Sequence, residues 1–117
     1  MTISAEEIRR RAEEIREQIR ADRRYLHQIP EIGTDLPQTS AYIKKKLDEL
    51  GIPWRDCGGS LPEKMTEDFV KAGFPRMEKE TGISAVIGKG EPCILLRADM
   101  DALPIREDND LEFRSVN

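Results

Sequence analysis

The sequence predicts an α/β fold: two N-terminal helices, then a short mixed sheet that includes a β-hairpin. Three observations predict it. Apolar residues recur at helical spacing through the first fifty positions. Two aliphatic runs, residues 83–87 (ISAVI) and 92–98 (PCILLRA), flank a Gly88-Lys89-Gly90 turn and read as an antiparallel pair. A length of 117 residues suffices for one hydrophobic core but not for two independent ones.

The first helix is expected over residues 4–29. Ser4 and Glu7 have the S-x-x-E spacing of a capping box, and Ile8, Ala12, Ile15, Ile19 and Leu26 form an apolar stripe. Glu6–Arg10 and Glu7–Arg11 are attractive pairs four apart, whereas Arg16–Arg20 is repulsive. Alternation of Glu with Arg marks the other faces as solvated rather than as a polyanion site. Pro30 ends the helix by removing a donor and restricting Ile29.

A loop with Gly33 leads to a second helix over 37–50, striped by Ile43, Leu47 and Leu50 and closed by Gly51 in the left-handed position. Residues 52–56 read as a short strand. In 58–80, a helix starting at Ser60 or Pro62 carries Met65, Phe69 and Ala72 and ends at Gly73, and the RMEKE run reads as a further helical turn. The unbroken apolar run from Cys93 to Leu96 predicts a central strand covered on both faces. The tail from Asp99 holds six acids against two arginines and no obvious element.

Composition excludes several function classes. A net charge of −4 gives no field suited to nucleic acid or to an anionic membrane. The N-terminus has no apolar signal-peptide core, and no run approaches bilayer-spanning length. Cys57 and Cys93, without CxxC spacing, read as reduced thiols, so a cytoplasmic location is expected.

The sharpest chemical feature follows the last apolar run. Asp99 and Asp101, spaced i, i+2, fall on the same side of an extended chain at the end of a strand, where α/β proteins place their sites. Such carboxylates ligate cations, orient ligand histidines or act as nucleophiles. They equally satisfy backbone donors of the following loop. A D-x-D phosphohydrolase would need further groups downstream.

Three segments then resemble the amidohydrolase branch of the M20 metallopeptidase family, which is aminoacylase and hippurate hydrolase-like. They are Arg24-Tyr25-Leu26-His27-Gln28-Ile29-Pro30-Glu31-Ile32-Gly33 followed by Thr39; Thr81-Gly82-Ile83-Ser84-Ala85-Val86-Ile87-Gly88; and Leu96-Arg97-Ala98-Asp99-Met100-Asp101-Ala102-Leu103-Pro104-Ile105 with Glu107, Phe113 and Ser115. The resemblance implies the first part of an α/β/α metallohydrolase catalytic domain with a two-metal centre of zinc or manganese. It implies hydrolysis of an amide such as an N-acyl amino acid, with a metal-bound water attacking the carbonyl. Asp101 matches the Asp that supports the metal site, Asp99 the position that is a metal-binding His in peptidase-type relatives, and Glu107 belongs to the same motif.

Two departures qualify that expectation. The family's H-x-C-G-H-D segment would follow just beyond Asn117, so the chain reads as an N-terminal piece of the domain. No metal bound by these residues and no activity of the piece alone are expected. The single His, His27, sits in the helix-end motif and reads as a packing or capping residue. Residues 58–80 exceed the family's usual link and read as an insertion, whose Met65, Phe69, Phe74 and Met77 pack on the sheet or on a partner. The expected ligand of the parent enzyme is a small amide. The rival reading is a non-catalytic module that self-associates through an exposed sheet edge.

Overall fold

A computed structural model describes residues 2–116. The class is the predicted one, mixed α/β, with helices before and between the strands of a small antiparallel sheet. The chain forms two compact units. One comprises the chain up to Ile29 together with the segment from Glu107 onward, and the other is Pro30–Arg106.

In the first unit the expected long helix is two helices, α1 (Ala5–Glu14) and α2 (Arg16–Gln28), broken at Ile15 with φ −102° and ψ 5°. Neither Pro nor Gly lies near the break, so the usual backbone causes of a kink are absent. The capping box is half made: Ser4 Oγ accepts the Glu7 N–H at 3.1 Å, but the Glu7 carboxylate turns to Arg10 and Arg11. Those guanidinium groups, Arg10 first, hold the Glu7 carboxyl below its ordinary range. The expected Arg16–Arg20 repulsion is relieved by pairs with Glu13 and Glu17 three residues back. All these pairs are exposed and contribute little to stability. Ile8, Ile15 and Ile19 are all more than half exposed, so the apolar stripe is uncovered.

The second unit begins with a loop that hands the chain to α3 (Pro37–Glu49). Pro37 at the first turn needs no partner for its missing N–H. The orphan donors beyond it are satisfied by the Glu31 carboxylate, whose oxygens accept from Gln38 N at 3.1 Å and Thr39 N at 2.8 Å. Gly51, at φ +65°, turns the chain out of the helix as expected, and Ile52 N closes on Leu47 O.

The chain then forms β1 (Trp54–Cys57), which pairs antiparallel with β2 (Gly82–Ala85) in the register Trp54↔Ala85 to Cys57↔Gly82. An isolated bridge, Ser60↔Lys79, continues the pairing, supported by Leu61 N→Glu78 O and Glu80 N→Gly59 O. Residues 76–80 are therefore extended rather than a helical turn: their backbone groups are committed to 59–61. At Gly58, with φ +100°, a Cβ would meet Glu80 O at 2.8 Å, so the close approach admits only glycine. Between the paired segments lies α4 (Glu63–Lys71), preceded by Pro62 and followed by Gly73 at φ +89°.

The run 92–98 corrects the expected hairpin. It forms no strand, and β2 pairs with β1 instead. A two-residue hairpin turn needs positive φ at both central residues in type I′ and at the first alone in type II′. Here Gly88 and Gly90 adopt it (+82° and +98°) and Lys89 between them does not. The connection bends without bringing 92–98 back onto β2. Ile94, Leu95 and Leu96 are 81%, 92% and 89% exposed, where burial on both faces was expected.

The buried side chains gather elsewhere. Leu36 and Met77 are the buried apolar residues among those described, with Thr39, Ser40 and Thr66 the buried polar ones. Thr66, on α4, donates its hydroxyl to Met77 O at 2.8 Å. The 58–80 segment thus packs on its own unit through Met77, while Met65 and Phe74 stay over two-fifths exposed and Phe74 meets Phe69 edge to face.

Candidate functional site

The second unit carries an open cleft of about 560 Å³, with Gly33, Thr34, Cys57, Gly82, Asp99 and Asp101 in its lining. Its frame is a set of crossed hydrogen bonds between the loop before α3 and the chain entering β2. Thr81 donates both its N–H (2.9 Å) and its hydroxyl (3.0 Å) to Thr34 O, and its Oγ1 accepts Leu36 N at 2.8 Å. Thr34 Oγ1 donates to Lys79 O at 3.0 Å. Beneath them Met77 fills the space beside Gly33. A Cβ on Gly33, whose φ is +88°, would lie 2.0 Å from Met77 Sδ.

The acidic end of the apolar run is tied to the same frame. Ala102 N donates to Glu31 O at 2.7 Å, immediately after Asp101. Glu31 therefore does two things: its carboxylate caps α3 and its carbonyl holds the residue following D-x-D. Arg97 pairs with Asp99 at 2.5 Å, both side chains largely exposed. The Asp101 side chain is exposed and enters no ion pair found among the described residues. The cleft wall thus offers one partly neutralised carboxylate and one open to solvent.

Glu107 belongs to the first unit, as does His27. His27 Nε2 donates to Glu107 Oε1 at 2.7 Å, Asn109 Nδ2 donates to the same oxygen at 2.6 Å, and Ser115 N donates to Oε2 at 2.7 Å. These hydrogen bonds, led by His27 and then Ser115, hold the Glu107 carboxyl down at about 2. The His27 ring also meets Phe113 edge-on at 5.9 Å, and Arg24 lies over Phe113 at 4.6 Å. His27, expected to pack or cap, has a specific carboxylate partner 80 residues away in sequence.

A two-metal centre requires several convergent His, Cys or carboxylate groups. Among the described residues no group of three or more such side chains is placed to hold a metal ion. The residues present do not fit that group by themselves. No helix of the described residues is long and apolar enough to cross a membrane.

Sequence reasoning quotes Glu31 and Thr81 in its motifs and gives Met77 a packing role, but it misses the contacts by which these residues and Thr34 form one frame beside Asp99 and Asp101. For Glu31 a signal existed, a carboxylate shortly before a proline-started helix. For the contact of Met77 with Gly33 there was none, because the two lie 44 positions apart.

The chain is 40% identical over 94 residues to an uncharacterized hydrolase of Staphylococcus aureus strain USA300. It is 36% identical over 96 residues to an uncharacterized hydrolase of Staphylococcus epidermidis strain RP62A. These matches cover 80% and 81% of this chain but 19% and 20% of those proteins. The chain spans about a fifth of the length of the curated relatives it matches. No family model matches, and no solved structure matches.

Proposed function

We propose that this chain supplies the N-terminal part of the catalytic domain of a metal-dependent amidohydrolase, of the aminoacylase and hippurate hydrolase-like branch of the M20 family, acting on N-acyl amino acids or related amides. One observation carries the reading: the D-x-D carboxylates of the third motif line one cleft together with residues of the first two motifs. Gly33 belongs to the first, with Thr34 directly after it, Thr81 and Gly82 to the second, and Asp99 and Asp101 to the third. Similarity to bacterial hydrolases supports it at the level of reaction class.

In this reading a zinc or manganese pair would be held by residues other than these and would supply the activation of water. Asp101, open to solvent, accepts hydrogen bonds or orients a neighbouring ligand group. Arg97 moderates the charge on Asp99. The Thr34–Thr81 cross-links keep the two walls at fixed separation, which matters because a displacement of about 1 Å in a site costs about a hundredfold in rate. The chain alone is expected to hydrolyse no N-acyl amino acid with zinc or manganese added. Stoichiometric tight metal binding with amide turnover in the purified 117 residues would contradict the reading.

A second reading, a non-catalytic module that self-associates, is favoured by the exposure of Ile94, Leu95 and Leu96. It commits to a second copy of this chain. Sedimentation distinguishes it: a monomer at high concentration removes it, and a dimer lost in Leu95→Glu supports it.

A further inference from the structure

We infer that His27 and Glu107 are a positioning pair that fixes the course of residues 107–116 along α2, with Glu107 acting through Ser115 rather than on a substrate. Arg24 and His27 lie three residues apart and share one face of α2. Phe113 sits against both, its ring T-shaped to the imidazole and face-on to the guanidinium. The Glu107 carboxylate takes hydrogen bonds from His27, from Asn109 and from the Ser115 backbone. One carboxylate therefore closes a loop whose two ends are Glu107 itself and Ser115, and it pins that loop to the helix. Val116 N donates to Gln28 O at 3.1 Å, satisfying a carbonyl that the end of α2 leaves open.

The same stretch shows why Glu107, and not its acidic neighbours, has this role. The Asp110 side chain is fully exposed and pairs only loosely with Arg114, at 3.5 Å, and Asp108 and Glu112 are exposed. The Glu107 side chain is 17% exposed, and both its oxygens are engaged. A group that exchanges protons with a substrate needs an oxygen facing it. Glu107 has none unengaged. The motif residues Arg24, His27, Glu107, Phe113 and Ser115, which the cleft does not use, thus form one structural device.

The inference bears on the amidohydrolase reading only through the role given to Glu107. Its test uses neither metal nor amide, so the two fail separately. Amide exchange of Ser115 is followed by NMR in the isotope-labelled 117-residue chain at neutral pH. Glu107→Ala and His27→Ala are each expected to speed it about tenfold or more. Glu107→Gln keeps an acceptor oxygen and His27→Gln keeps a donor N–H, and both are expected to restore most of the protection. Asp108→Ala leaves it unchanged. Ser115 exchange in Glu107→Ala within about twofold of the parent chain overturns the inference. So does failure of both glutamine variants to restore protection. If the alanine variants lose helicity, the glutamine variants decide alone.

Discussion

Gly33 shows how a single residue sets the cleft. Its positive φ and the 2.0 Å approach that a Cβ would make to Met77 Sδ leave no room for a side chain. Gly33→Ala is expected to destabilise the second unit by about 1–3 kcal/mol, read from the urea midpoint. Glu107 gives a pH dependence with a defined sign. Its carboxyl is held at about 2, against 4.5 for the free group. Its contribution is therefore fully present above about pH 4.5 and is lost as the pH falls from there toward 2. Glu107→Gln should remove that part of the acid limb, as measured by urea midpoints between pH 2 and pH 5. At this scale the sequence revealed which residues to watch and concealed their partners. His27 and Glu107 were both noted, but no local pattern links positions 80 apart. Their pairing is a tertiary fact.

Elements were legible where their ends carry chemistry of their own. Pro37 and Gly51 bound α3, Pro62 and Gly73 bound α4, and each boundary lies within a residue or two of expectation. The run 92–98 was not legible in the same way. Its residues favour an extended chain, but a strand also needs a neighbour that presents donors and acceptors in register. β2 found that neighbour in β1, and the run 92–98 has no strand partner among the described residues. Residues 76–80 misled for the converse reason: charged, helix-favouring side chains yielded to backbone pairing with 59–61. α4 is fastened by Thr66, 1% exposed, through its hydroxyl to Met77 O. Thr66→Val preserves shape but strands that carbonyl. A loss of about 1–3 kcal/mol is expected in chemical denaturation, larger than for Thr66→Ser, which keeps the hydrogen bond.

Across the whole molecule, burial is sparse. Two apolar side chains are buried among those described, while the aliphatic residues 94–96 are almost fully exposed. The predicted class survived because helix and strand preferences are local. The predicted burial did not, because burial depends on what else is present to cover a face, and these residues supply no such cover. The arrangement of the site follows the same division. Motif spacing singled out Asp99 and Asp101 as candidates, whereas the other residues that line the same cleft come together only through the hydrogen bonds between 34–36 and 79–81.

The proposed amide chemistry is tested most directly by liberation of amino groups from hippurate and N-acetyl amino acids. The assay uses a protein that carries this chain within a polypeptide of its relatives' length, supplied with zinc or manganese. Release of the amino acid is expected, with Asp101→Asn lowering kcat by about a hundredfold or more while the fold, followed by circular dichroism, is retained. Turnover of no amide by the parent protein, or equal rates for parent and Asp101→Asn, would contradict it.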